Sequence, residues 1–118
     1  MAKIQTSKLV PPALDWVVAK CEGRGGFFKF LGGTIFDDLL GEWVRPSTDW
    51  AQAGPIIEHE EIDIYCHESP KTGSGWWVAE ITGTNIKAKG NTPLVAAMRC
   101  YVASKLGDEV EIPDELIK

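Results

Sequence analysis

The chain has 118 residues, 44% of them hydrophobic and 25% charged, with a net charge of −5 at pH 7. That is the size and composition of one globular domain that buries its own core, and it excludes the disordered and fibrous classes. No apolar run approaches the ~20 residues of a membrane helix, and no basic stripe is present to release counterions from a phosphate backbone, so a membrane partner is excluded and nucleic acid is disfavoured.

In "PPALDWVVAKCEG", Leu14, Val17, Val18 and Cys21 recur at i, i+3, i+4 and i+7, with proline in the first turn and Gly23 past the end. This spacing predicts an amphipathic first helix. In residues 24–44 paired glycines flank "FFKF" and an apolar "TIFDDLL" follows, which reads as a short strand, a turn and a second piece of undetermined type. Ser47, Thr48 or Asp49 then caps a short helix, with Asp49 and Gln52 spaced as a capping box. Gly54 is expected to stop that helix, and Pro55 to restart one or two turns over "PIIEHE".

"EIDIYCH" alternates, with Ile62, Ile64 and Cys66 on one face and Asp63, Tyr65 and His67 on the other. A half-buried strand follows from that period. "SPKTGSG" is dense in turn formers and "WWVAEITG" supplies a partner strand, so a hairpin is expected, with "NIKAK" as a third strand. "GNTPLVAAMRCYVASKLGD" carries Thr92 as cap, Pro93 at the first position, a stripe through Leu94, Ala97, Met98, Tyr101 and Leu106, and Gly107 at the stop. It is the best defined helix of the chain. The acidic tail, with Asp108, Glu109, Glu111, Asp114 and Glu115, reads as an ordered extended end. Helices before and after hairpin strands give a single α+β domain over residues 1–118, a two-layer sandwich with helices packed on one face of a small antiparallel sheet.

Three segments, "LDWVVAK", "PSTDWAQAGPIIE" and "NTPLVAAMRCYVASKLGDEVEIPDEL", resemble the NinX-like family of bacteriophage and prophage proteins. The segment "FFKFLGGTIFDDLLGEWV" stands outside that resemblance. The resemblance implies a phage accessory protein made in the bacterial cytoplasm, and it implies no catalytic residues.

Each candidate residue competes with a structural role. Asp49 reads first as a helix cap and only second as a ligand carboxylate, and Trp50, at helical spacing from apolar neighbours, is expected in the core ahead of a stacking role. His59, Cys66 and His67 are zinc ligand types without ligand spacing, so neither metal nor cofactor is expected. Cys66 and Cys100 are expected to be structural thiols, Cys66 on an inward strand face and Cys100 within a helix, and three widely spaced cysteines without a CxxC suit a reducing compartment. The carboxylate pairs of "TIFDDLL" and "EHEE" read as surface acids, and "GRGG" lacks the strand-to-helix context of a phosphate loop.

Five tryptophans are the unusual feature. Adjacent Trp76 and Trp77 must point to opposite faces of a strand, so one of them joins Tyr65 and His67 on the face away from the helices. That face is the expected interaction surface, for a host or phage protein or for a second copy of the chain. An alternative is a nucleotide-like small ligand held by Asp49, Trp50 and Arg99.

Overall fold

The structure is a computed structural model that describes residues 1–24, 28–67 and 76–116. In chain order the elements are β1 (Ala2–Gln5), a 3-10 turn (Thr6–Lys8), α1 (Ala13–Cys21), β2 (Phe28–Leu31), β3 (Thr34–Asp37), β4 (Glu42–Val44), α2 (Trp50–Glu60) and β5 (Ile62–His67). They continue with β6 (Trp76–Ile81), β7 (Lys87–Gly90), α3 (Pro93–Leu106), β8 (Glu109–Ile112) and a closing 3-10 turn (Asp114–Leu116).

The architecture is α+β, with three small antiparallel sheets ordered β1-β8, β2-β3-β4 and β5-β6-β7. The expected hairpin and its third strand form the β5-β7 sheet, with Ile62 opposite Ile81 and His67 opposite Trp76. The connecting "SPKTGSG" lies outside the described residues. Two further sheets add to that reading. Residues 28–44 form a three-stranded meander, and the acidic tail pairs as β8 with β1, Ala2 against Ile112 through Gln5 against Glu109.

Helix α3 is the centre of the domain. Leu94, Val95, Ala96, Ala97, Met98, Cys100, Tyr101 and Val102 are all buried, so the helix is apolar on nearly every side rather than along one stripe. A helix of that kind is enclosed. The β5-β7 sheet packs on one side of it, and α1, α2 and β8 close the others. Thr92 caps it as expected, its hydroxyl accepting the Val95 N–H at 3.1 Å. At its start, a Cβ on Gly90 would fall 2.6 Å from the Ala96 nitrogen, so only glycine lets the end of β7 run this close to the first turn.

Two local expectations are corrected. Helix α2 runs unbroken through Gly54 and Pro55 from Trp50 to Glu60. The missing Pro55 N–H costs little here because Pro55 and Ala51, whose carbonyl loses its partner, are both exposed, while buried Ala53 and Ile56 anchor the helix on either side of the defect. The capping box is also incomplete. Asp49 caps by accepting the Ala51 N–H at 2.9 Å, but the Gln52 side chain turns away, accepting the Arg45 N–H at 2.8 Å and donating to the Trp43 carbonyl at 2.7 Å. Gln52 thereby ties the end of β4 to α2.

Candidate functional site

Three surfaces display groups that the core does not consume. The first is a cleft of about 400 Å3 where the starts of α2 and α3 meet, lined by Pro11, Ser47, Thr48 and Trp50 from one side and by Asn91, Thr92 and Leu94 among others from the other. It brings together two of the segments that carry the family resemblance. Trp50 is 58% exposed at this cleft, which corrects the expectation of a core position. The helix turns the indole outward because Ala53, Ile56 and Ile57 take the inward positions.

Asp15 of α1 fixes the turn that leads into the cleft. Its carboxylate is buried and accepts the Ser47 N–H at 2.8 Å. Desolvation raises the Asp15 pKa, and the contacts with Ser47 oppose that rise. Ser47 is itself 1% exposed, and its hydroxyl lies close enough to Asp15 to favour the carboxylate without making a hydrogen bond to a described residue.

The second surface is the outer face of the β5-β7 sheet. Register places Asp63, Tyr65 and His67 of β5, Trp76, Val78 and Glu80 of β6, and Lys87 and Lys89 of β7 on it. Trp76 is the outward member of the tryptophan pair, and Trp77 packs against the core, which removes it from the candidate surface. Trp76 stacks on His67 with ring centroids 4.7 Å apart, and the Lys89 ammonium lies 5.0 Å from its ring centre. Tyr65 donates to Glu80 at 3.2 Å, and Lys87 pairs with the same carboxylate oxygen at 3.5 Å. The aromatic residues of this face are therefore partly covered by the chain's own charged side chains.

The third surface was missed from sequence. The turn between β3 and β4 displays Leu39 at 71% and Leu40 at 60% exposure, and the same small sheet shows Leu31 and Trp43. Phe36 meets Trp43 edge to face at 5.1 Å. Beneath this ledge, buried Asp37 accepts the N–H groups of Leu39 and Leu40 at 3.0 and 3.1 Å through Oδ1, and both Arg24 Nε and Nη2 through Oδ2 at 3.0 and 2.7 Å. Arg24 also donates to Glu42 at 2.8 Å. The leucines are thus held out by a fixed turn. The sequence signal is a leucine pair inside an acidic, glycine-ended turn, "DDLLGE", where a turn ordinarily carries polar residues.

Arg99 lies away from the cleft and the ledge, at the β7 edge of the second surface. It donates to the Leu9 and Lys89 carbonyls at 2.8 Å each, clipping the free edge of β7, and lines a different groove of about 560 Å3. The grouping of Asp49, Trp50 and Arg99 at one site is therefore not formed.

Burial pushes the Cys21 and Cys100 thiols up to about 11, leaving both protonated at neutral pH and poor nucleophiles. Among the described residues no three His, Cys, Asp or Glu side chains cluster as a metal site. Elemental analysis of protein purified without a histidine tag is expected to find far less than one equivalent of zinc; near-stoichiometric metal would overturn that expectation. No helix among the described residues is long and apolar enough to cross a membrane.

The fold and these surfaces define a small α+β domain of three antiparallel sheets, with β5-β7 packed on the enclosed helix α3 and β2-β4 on α1, and with large apolar side chains displayed on a ledge and at a cleft. Over residues 5–105 the sequence matches the family described as Bacteriophage P22, NinX, and the chain belongs to that family. The matched range includes residues 24–44, which the residue motifs alone leave outside the resemblance, and stops before the acidic tail. Among curated proteins none matches the chain.

Proposed function

We propose that this chain is a phage accessory protein that works in the cytoplasm of the bacterial host by non-catalytic binding to a host or phage protein. The observation that carries this reading is the exposed pair Leu39 and Leu40, whose turn is held by Asp37 and Arg24, with Trp43 exposed on the adjoining strand β4. Exposed large apolar groups on a fixed turn gain energy when a partner covers them, and a rigid turn loses little entropy in doing so. Nucleic acid is not the partner in this reading, since a chain of charge −5 approaches phosphates at an electrostatic cost.

A second contact, between copies of the chain, is favoured by the His67 and Trp76 stack on the outer face of the β5-β7 sheet. A photo-crosslinking residue placed at Leu40 in host cells carrying the phage is expected to give one discrete protein adduct, absent when it stands at Glu58 on the exposed side of α2. Adducts of equal, diffuse intensity at both positions would sink the ledge as the binding surface. Sedimentation of the Tyr65→Ala, Trp76→Ala double variant reads the second contact: it is expected to lower self-association, and an unchanged sedimentation profile would remove that contact.

A further inference from the structure

The cleft between the starts of α2 and α3 has the composition of a small-ligand site. Its floor and walls are mostly apolar, its volume of about 400 Å3 lies in the range of small-molecule pockets, and an exposed indole stands at it. Polar groups without protein partners gather there. Asp49 occupies the Ala51, Gln52 and Ala53 N–H groups at the start of α2, and Thr92 occupies those of Val95 and Ala96 at the start of α3. Pro93 has no N–H. The N–H groups of Trp50 and Leu94 are then the first-turn donors without a partner among the described residues, and both residues line the cleft. The Ser47 hydroxyl, buried and unpartnered among the described residues, is a third polar group at the same place.

Charge decides what kind of molecule fits. No residue lining the cleft carries a charge; the carboxylates of Asp15, behind Ser47, and Asp49, at the helix start, stand beside it, and Arg45 acts on Asp15 from outside the lining. An anion such as a phosphate would find no lysine or arginine in the lining to hold it and two carboxylates close by. A neutral ring avoids that repulsion, stacks on the indole and offers a carbonyl to the N–H donors.

We infer that the cleft binds an uncharged planar heterocycle bearing a ring carbonyl, the chemistry of an oxo-nucleobase, with the ring on Trp50 and its polar edge toward Ser47, Asn91 and the helix starts. This site is separate from the protein-binding ledge, and either reading stands without the other.

The test is calorimetric titration of the full chain with uridine, guanosine, adenosine and the corresponding 5′-monophosphates, with amide shifts of Leu94 and Val95 followed by NMR. Uridine or guanosine is expected to bind and to move those amides, with adenosine, which has no ring carbonyl, about tenfold weaker. The monophosphates are expected to bind no more tightly than their nucleosides. Trp50→Ala is expected to weaken binding about tenfold while leaving the thermal midpoint unchanged, in line with the loss of a stacked base from an exposed side chain.

Ser47→Ala is expected to weaken binding with little loss of stability, because the hydroxyl makes no hydrogen bond to a described residue in the free protein and the Ser47 N–H still serves Asp15. Absence of binding by uridine and guanosine at millimolar concentration overturns the proposal, as does Trp50→Ala binding like the parent. Tighter binding of the monophosphates overturns the choice of a neutral ligand. A Ser47→Ala variant that is much less stable than the parent assigns the hydroxyl to Asp15 and removes it from the site.

Discussion

Asp37→Ala is expected to cost about 3 kcal/mol and to dissolve the ledge before the rest of the domain unfolds. Removing one member of a buried ion pair usually costs more than the pair contributes, because the partner charge is left without its counterpart. Here the Arg24 side chain is 15% exposed and retains Glu42, so the loss sits at the lower end of the range for such pairs. The same substitution strips the acceptor from the Leu39 and Leu40 N–H groups, which frees the turn that displays both leucines. The expected readout is a loss of Trp43 near-ultraviolet signal at a lower denaturant concentration than the loss of helical signal.

Acid should reproduce part of this effect. Burial pushes the Asp37 pKa up, but the Leu40 N–H, the Arg24 guanidinium and the Leu39 N–H outweigh it and hold the carboxyl below the usual aspartate value. A carboxylate depressed in the folded state adds stability that is fully present above its unfolded value, about pH 4, and is lost as pH falls through the folded value. Asp15, whose pKa is raised chiefly by desolvation, gives the opposite slope in the region just above pH 4. The difference between parent and Asp37→Ala isolates the first contribution: it should be constant near neutrality and shrink below about pH 4. A difference that stays constant to pH 2 would show that Asp37 acts only as a neutral acceptor.

Met98→Ala is expected to be the more damaging change to the domain as a whole, at about 2–5 kcal/mol. Met98 is fully buried in the enclosed helix α3, where every neighbouring element is itself packed and cannot collapse into the space left behind. For a domain of this size that corresponds to a fall in Tm of roughly 10 °C or more. Ile64→Ala is the useful comparison, because the alternating pattern of β5 puts Ile64 on the inward face and the structure leaves it partly exposed at the edge of the core. Its expected cost is smaller, about 1–2 kcal/mol, since part of the side chain keeps its contact with water. Equal losses from Met98→Ala and Ile64→Ala in chemical unfolding would mean that α3 is not the enclosed centre of the fold.

Those two positions also show where sequence reading succeeds and where it stops. The period-2 alternation of Ile62, Ile64 and Cys66 against Asp63, Tyr65 and His67 does assign the two faces of β5 correctly, because a strand's pleat fixes side-chain direction. It says nothing about depth, which depends on what lies over each position. Trp50 makes the same point in the other direction: local spacing suggests a core tryptophan, and the rotation of α2 about Ala53 and Ile56 leaves it at a cleft. The ledge was hidden because exposure of Leu39 and Leu40 depends on Asp37 and Arg24, thirteen residues apart, meeting under the turn.

The sequence by itself determined the elements whose signals are local: the start of α3 at Thr92 and Pro93 and its stop at Gly107, the Asp49 cap, the β5 faces, and the α+β class that follows from their order. Each rests on backbone chemistry within about four residues, which tertiary contacts seldom reverse. Only the tertiary structure decided that β1 and β8 pair across the length of the chain, that α2 continues through Gly54 and Pro55, that Arg99 clips β7 away from Trp50, and that the starts of α2 and α3 meet to form one cleft. These depend on long-range packing, in which buried apolar area outweighs the ~1–3 kcal/mol preferences of single glycines and prolines, and no window of sequence contains both halves of such a contact.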